Sequence, residues 1–325
     1  MSHPAFAGTA LALTGLSASS PLGFMAALGL LRVCARDHSL PVWLSWNESH
    51  ARLHGISRAD LIELLIGHMR GRSAAPEFNF EVTDKQGRAS TVGHLRQIRA
   101  VDFRAAAAKF EGNPRALGFL AGFGTDAVVD EDGFIARSRL DFSSGQQQFM
   151  DGLRKLAVRL DPDARRPSVP LATRIERSLF GGPYEDQHAF GWDPASLMTH
   201  AHQPVAPTDS ATPGQPMTVW LAVEAFPLHP VIPVAPQRAA TTGVERGRGY
   251  VWPLWDALLG IDEVELLRQR PVQTLDQLTG VRAIWTAAFT SVGKYTVMLP
   301  GSRTSSDSLR QGGFALRDSH VESMG

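Results

Sequence analysis

An apolar stretch over residues 22–33 sets the strongest limit on the fold of this chain. It is shorter than the roughly 18 to 20 residues that a membrane span needs, and it lacks the basic start of a signal peptide. Ser20 and Pro21, which precede it, are favoured residues at the beginning of a helix. The sequence therefore predicts a helix over residues 22–36 that is buried in the core and packs closely through Gly23 and Gly29. No membrane segment is expected.

The composition is typical of a soluble globular protein. The chain has 325 residues, of which 43% are apolar, with 32 basic and 32 acidic side chains. This profile excludes disorder as the dominant state and allows one large domain or two. Cys34 is the single cysteine, which excludes an intramolecular disulfide, a Cys-rich zinc site and an iron–sulfur cluster. We therefore expect a reducing, cytoplasmic location.

The type of charge is more informative than the net charge, which is zero. A dedicated DNA-binding domain usually carries a basic excess, and this chain has none. Four of the 32 basic residues are lysines and the other 28 are arginines. The planar donor fork of arginine suits phosphate and base contacts, although a GC-rich genome produces the same bias.

Hydrophobic periodicity and turn residues predict an α+β protein with a helix-rich N-terminal half, short strands and a loop-rich C-terminal half. Short strands are predicted over residues 11–16, 41–46 and 134–140. Further helices are predicted over residues 58–70, 93–99, 101–109, 145–160 and 171–180. A segment rich in proline and charge, 161–170, marks the predicted boundary between an N-terminal domain, 1–160, and a loop-rich domain, 161–300. Residues 301–325 are predicted to form a weakly ordered tail.

The motifs of common catalytic and cofactor sites are missing from the sequence. Gly293-Lys294 is followed by tyrosine, so no P-loop is present, and there is no G-x-S-x-G nucleophile elbow. The pairs His50/His54 and His200/His202 have no nearby ligands in a recognised metal-binding spacing. We therefore predict no catalytic residue, no metal site and no cofactor.

Two basic segments are candidates for contacts with nucleic acid. In the first, an Arg-x-Arg strand end leads through a Ser-Ser-Gly turn to three glutamines at the predicted start of a helix, where backbone amides are also free. The second, residues 241–250 (TTGVERGRGY), is a Gly/Arg-rich stretch that resembles a flexible phosphate-binding loop. A capped helix with a solvated face and a plain exposed loop explain the same residues. The predicted nucleic-acid-binding residues are Arg137, Arg139, Gln146, Gln147, Gln148, Arg154, Arg246 and Arg248.

Several short patches resemble CRISPR-associated proteins of subtype I-U, now called I-G. They are LTGLSASSPLGFMAALGLLRV (13–33), the strand that contains Trp46, SRLDFSSGQQQFMDGLRKLA (138–157), SLFGGPYED (178–186), GWDP (191–194) and LAVEAFPLHP (221–230). The resemblance implies a non-catalytic subunit of a Cascade-like type I effector complex for antiviral defence, either the large subunit or an accessory subunit particular to the subtype. The implied partners are other effector subunits, guide RNA and target DNA.

Two other classes of function remain open at this point. One is a hydrolytic or metabolic enzyme whose active site is built from the loops over residues 181–236. The other is an adaptor that binds only protein, through the segment around Trp252 and Trp255.

Overall fold

A computed structural model describes residues 10–84, 87–143, 147–163, 168–195, 213–245, 249–292 and 295–304. The protein is α+β, as predicted. The helices of the described residues are α1 (Pro21–Arg32), α2 (Arg58–Met69), α3 (Ala100–Lys109), α4 (Pro114–Phe123), α5 (Phe149–Leu160), α6 (Leu171–Phe180), α7 (Pro216–Glu224) and α8 (Ile261–Arg268).

The strands of the same residues are short, apart from three of seven residues or more. They are β1 (Leu11–Ser17), β2 (Trp43–Trp46), β3 (His50–His54), β4 (Glu81–Thr83), β5 (Ala89–Thr91), β6 (Gly124–Val129), β7 (Ile135–Arg137), β8 (Glu185–Asp186), β9 (Pro213–Gly214), β10 (Val231–Ala235), β11 (Arg238–Thr241), β12 (Val244–Glu245), β13 (Gly249–Trp255), β14 (Val281–Val292), β15 (Tyr295–Met298) and β16 (Ser302–Arg303).

The predicted apolar helix is the central element of the fold. All twelve residues of α1 are buried, and the Ser20 side chain accepts a hydrogen bond from the Gly23 amide at 3.1 Å. Gly29 lies against α7 so closely that a Cβ atom there would fall 1.7 Å from the Leu221 carbonyl oxygen. Glycine is thus required where these two helices meet. After Arg32 the chain continues as a π-helical turn, Val33–Asp37.

Two antiparallel sheets enclose α1. The N-terminal sheet has the order β1-β3-β2, and the C-terminal sheet has the order β12-β13-β14-β15 with β16 paired to β14. All seven residues of β13 are buried. The Trp252 indole donates to the Ala18 carbonyl at 3.0 Å and the Trp255 indole donates to the Leu44 carbonyl at 2.9 Å. These tryptophans therefore join the sheets inside the core, and their side chains are not exposed for the protein-only adaptor role considered above.

One continuous hydrophobic core runs through the described residues. Phe24 of α1 stacks on Trp46 with ring centroids 5.5 Å apart, and its ring also meets Trp252 at 6.0 Å. The connected cluster extends from Leu13 to Met298 and so draws on both sides of residue 160. The predicted domain division stays a prediction.

The predicted element boundaries need two corrections. Residues 93–99 form only a 3₁₀ turn, Leu95–Gln97, because Ile98 and the following residue are extended and bond to the β6–β7 hairpin; the Ile98 carbonyl accepts from Ile135 at 3.0 Å. Helix α5 begins at Phe149, and Gln148 before it is extended, with φ −103° and ψ 102°. Residues 144–146 and 305–325, with most of the predicted tail, lie outside the described residues.

The helices of the described residues are too short or too polar for any of them to cross a bilayer.

Candidate functional site

The predicted nucleic-acid-binding residues differ in how their side chains are used. Arg137, at the end of β7, forms an ion pair with the buried carboxylate of Asp141 at 2.5 Å. Arg154 of α5 donates to the carbonyls of Phe78 and Val92 at 2.7 and 2.9 Å. Both bonds come from Nη1, which thus ties two separate segments to α5, and we assign Arg154 a structural role.

Arg139 is exposed, and the structure brings its backbone to the second predicted segment. The Arg139 amide donates to the Thr241 hydroxyl at 2.8 Å, at the end of β11. Arg238, at the start of β11, is also exposed. Gln148 is exposed and Gln147 is half-buried, whereas Gln146, Arg246 and Arg248 lie outside the described residues.

The hairpin of β10 and β11 carries exposed apolar side chains. Ile232 is 47% exposed and Val234 is 45% exposed, while Val231 at the base of the hairpin is buried. In the described part of the chain β10 pairs only with β11, and its Pro233 suits an edge strand. An exposed apolar two-stranded hairpin is typical of a contact with a partner. We call Arg139, Ile232, Val234 and Arg238 the hairpin surface; Thr241, which holds the Arg139 backbone against it, is itself buried.

Sequence reasoning missed a group of charged side chains inside the protein. We call it the interior ion network, and it consists of Arg32, Asp37, His68, Arg72, Glu77, Arg115 and Glu224. Arg32 and Glu224 stand in two helices that are otherwise uncharged and almost entirely apolar. A charged residue in a fully buried apolar helix signals a partner across the core, and this signal was present in the sequence.

Glu224 is the centre of the interior ion network. Its side chain is fully buried, and its carboxylate accepts from Arg32, from Arg115 at 2.9 Å and from His68 at 3.0 Å. Arg115 also contacts Asp37 and donates to Glu77 at 2.7 Å, so each of its nitrogens meets a different carboxylate. Such multiple charge-assisted contacts are needed to offset the cost of taking these charges out of water.

His68 is neutral in this network, and its hydrogen bonds define the tautomer. Arg72 can only donate, so His68 Nδ1, 3.3 Å from Arg72 Nη2, is the unprotonated nitrogen. His68 Nε2 therefore carries the proton and donates it to Glu224. Burial lowers the pKa of His68, and the charge of Glu224 only partly opposes this. Three guanidinium groups and three carboxylates then balance in the network.

The charged neighbours of Glu224 outweigh the effect of burial on its pKa. Burial alone raises the pKa of a carboxyl group, but Arg115, His68 and Arg32 together hold the pKa of Glu224 well below its ordinary value. The carboxylate is thus ionised at neutral pH, as the hydrogen bonds from Arg32 and Arg115 require. Glu224 is therefore an acceptor that holds helices together, and it has no proton to donate in acid–base chemistry.

Asp37, His68 and Glu224 have the spacing of metal ligands, since one ligand atom of each lies within 4.8 Å of the others. However, both oxygens of Glu224 accept from guanidinium groups, and Asp37 contacts Arg32 and Arg115. Cations at these carboxylates repel a divalent ion and occupy its coordination positions. We therefore interpret the network as a structural connection between α1, α2, α4 and α7.

The loops proposed for an enzyme active site are only partly described, because residues 196–212 lie outside the described part. In the preceding segment, Trp192 is buried and its indole donates to the Leu140 carbonyl at 2.9 Å. Glu185 accepts from Arg174 and Arg159 at 2.8 Å each, so this carboxylate is also used in an ion pair.

Comparison with known proteins leaves the family of the chain open, since no protein-family model matches it and no curated protein is significantly similar to it.

Proposed function

We propose that the protein is a non-catalytic subunit of an RNA-guided type I CRISPR effector complex, and that it uses the hairpin surface to contact nucleic acid and a neighbouring subunit. The observation that carries the proposal is the hydrogen bond from the Arg139 amide to Thr241 at 2.8 Å. It brings the Arg-x-Arg segment next to the strand that leads, five residues later, to Arg246. The Arg-x-Arg segment thus contacts the strand that carries Arg238, at a residue 102 positions further along the chain.

The chemistry of this surface fits such a role. Arg139 and Arg238 are exposed, and neither forms an ion pair within the described residues. Free guanidinium groups on a surface attract phosphate and release its counter-ions. Ile232 and Val234 lie on the same hairpin and supply the apolar contact area that an interface between subunits needs. A protein of zero net charge is compatible with one face on nucleic acid and others on protein.

The first test is purification of the protein from its native host at low and high salt, with sequencing of any nucleic acid that it retains. We expect short RNAs with repeat-derived ends, together with other effector subunits. A clean monomer that carries neither RNA nor partner proteins contradicts the proposal.

The second test concerns the two arginines. We compare R139E/R238E with K155E/R282E, which changes the net charge equally at exposed residues that already have acidic partners. Each phosphate contact that is lost lowers the slope of log affinity against log salt concentration by about 0.7 to 0.9. The slope should therefore fall by about 1.4 to 1.8 in R139E/R238E and much less in the control. Equal slopes in the two variants show that the hairpin surface does not bind nucleic acid.

A further inference from the structure

The N-terminal sheet buries one face against α1 and turns the other away from it. On the inner face, Leu13 and Trp46 both pair with Ala51 of the central strand β3, and all three side chains are buried. Trp46 stacks there on Phe24 of α1. Because successive residues of a strand point to opposite sides, the alternate positions form a second face. We call these positions the outer face: Ala12 of β1, Trp43 and Ser45 of β2, and His50, Arg52 and His54 of β3.

The centre of the outer face is open to solvent. Arg52 is exposed, and so is Ala12, which pairs with it from β1. Ser45 pairs with Arg52 from β2; it is buried, and its hydroxyl lies 2.9 Å from His54 Nε2. Since both partners of Arg52 are short side chains, the long side chain of Arg52 extends beyond them, and a ligand can reach its guanidinium from outside.

Arg52 is a cation without a counter-ion in the described part of the chain, where its side chain forms neither an ion pair nor a hydrogen bond. Glu48, in the turn between β2 and β3, is the one acidic residue of the three strands and that turn. His50 and His54, two positions before and after Arg52, are neutral at pH 7, because burial and then the charge of Arg52 lower the pKa of each. The outer face therefore carries a positive charge between two flat, uncharged rings.

Hydrogen bonds hold the two imidazoles in place. The ring of His50 contacts the Ser49 hydroxyl at 2.9 Å and the Asn47 side-chain amide at 3.1 Å, and His54 is held from β2 as described. Trp43, which is half-buried, pairs with His54 across the sheet and adds a third ring. Rings that are already ordered lose little conformational entropy when a base stacks on them. Aromatic rings and arginine together are the groups with which protein surfaces hold unpaired bases and their phosphates.

We propose that the outer face of the N-terminal sheet binds a single-stranded nucleic acid, with a phosphate paired to Arg52 and bases stacked on the rings of His50 and His54. The guanidinium fork matches phosphate in geometry and charge. A single strand fits better than a duplex, because only its unpaired bases can turn their flat sides to a sheet. The proposal does not rest on the proposed function, since no residue of the hairpin surface takes part in it.

The first test is titration of the full-length protein, followed by fluorescence anisotropy, with labelled oligouridylate and oligothymidylate of about ten nucleotides. The comparison probes are an oligomer of the same length and charge that lacks bases, and a duplex of the same length. We expect at least one single strand to bind about fivefold or more tightly than the baseless oligomer, the effect of one base stack. Equal affinity for the baseless oligomer overturns the proposal, because phosphate alone then accounts for binding, and so does a duplex that binds as tightly as the single strands.

Variants show which side chains bind the strand. R52A should lower the slope of log affinity against log salt concentration by about 0.7, the loss of one phosphate contact, whereas R52K should keep the slope. The matched control is R282A, which removes an exposed arginine of the C-terminal sheet and should leave the slope unchanged. H54A should weaken binding about fivefold without a change of slope, because it removes a stacking ring that is uncharged. Equal slopes in R52A and R282A show that Arg52 does not contact nucleic acid and overturn the proposal.

A third set of measurements separates this proposal from the hairpin surface. If R139E/R238E loses binding while R52A and H54A bind like the unaltered protein, the strand lies on the hairpin surface and the proposal is wrong. If R52A and H54A lose binding, the outer face is a binding site whatever the effect of R139E/R238E. Photo-cross-linking with oligonucleotides that contain 4-thiouridine locates the strand without any substitution. We expect cross-links to residues 43–54, and cross-links confined to other segments overturn the proposal.

Discussion

Glu224 Oε1 lies 3.0 Å from His68 Nε2 in the interior of the protein, although 156 residues separate the two positions along the chain. Both side chains are fully buried. Together with Arg32 and Arg115 they connect α1, α2, α4 and α7, so four helices of the N-terminal and central segments meet at one carboxylate.

Replacement of Glu224 by glutamine should strongly destabilise the protein. The substitution keeps the shape of the side chain but leaves an excess of buried guanidinium charge, which costs about 3 to 5 kcal/mol. Urea denaturation measures the loss. The control is Asp262→Asn in the exposed pair with Arg36, which should change the free energy of unfolding by less than about 1 kcal/mol. Similar effects of the two substitutions contradict a special role for Glu224.

His229 should make the stability depend on pH. Burial, assisted by the charge of Arg268, lowers its folded-state pKa to about 3. As pH falls below about 6.5 the unfolded chain binds a proton that the folded protein excludes, so stability decreases by about 1.4 kcal/mol per pH unit. Between pH 7.5 and 5.0 this residue therefore contributes a loss of about 2 kcal/mol.

The His229→Gln variant isolates this contribution. We expect the variant to be less stable than the unaltered protein at pH 7.5, because the buried imidazole no longer joins the Tyr250 hydroxyl to the Ala225 carbonyl, but to lose less stability on acidification. Urea unfolding at the two pH values gives the difference. If both proteins lose the same free energy between pH 7.5 and 5.0, His229 does not titrate as described.

Substitution of alanine for each of two helical glycines, Gly29 and Gly67, should change the stability of the protein in opposite directions. In Gly29→Ala the added Cβ meets the Leu221 carbonyl at 1.7 Å, so α1 and α7 must separate, and overpacking of this kind costs about 1 to 3 kcal/mol or more. In Gly67→Ala, within α2, the Cβ has no neighbour within 4 Å, and the higher helix propensity of alanine should stabilise the protein by about 0.5 to 1 kcal/mol. Melting curves of the two variants measure both effects, and a stabilised Gly29→Ala would refute the close helix contact.

Arg154 should matter for stability and not for nucleic-acid binding. In Arg154→Ala the carbonyls of Phe78 and Val92 lose a charged donor, which costs about 1.5 to 3 kcal/mol. Lys155→Ala, at the exposed neighbouring position, should stay within about 0.5 kcal/mol. The salt dependence of nucleic-acid affinity should be the same in both variants. If the slope of log affinity against log salt concentration falls in Arg154→Ala alone, Arg154 contacts nucleic acid and its structural assignment is wrong.

Local patterns in the sequence predicted several elements well. Helix α6 has the predicted bounds, Leu171–Phe180, and the Ser20 cap of α1 forms as expected. Helix α2 ends before Gly71, whose φ of 65° is the left-handed conformation that glycine adopts at helix ends. These features depend on residues within one or two turns of each other, and such neighbours are visible in a sequence.

The candidate sites were less predictable. The basic segment at Arg137 and Arg139 was recognised, but nothing in it shows that Arg137 pairs with Asp141 while Arg139 stays exposed. Arg268 stands in an ordinary amphipathic helix, and only its burial against Phe24 and Tyr250 distinguishes it from a surface arginine.

By itself, the sequence determined the mixed α+β class, the burial of α1 and the ends of its clearest helices, because periodicity and capping act over a few residues. Tertiary structure alone decided that Glu224 meets His68 and Arg115. Such contacts join positions more than 100 residues apart, and their partners are selected by the packing of whole helices and sheets and by the need to balance buried charge, which no local pattern records.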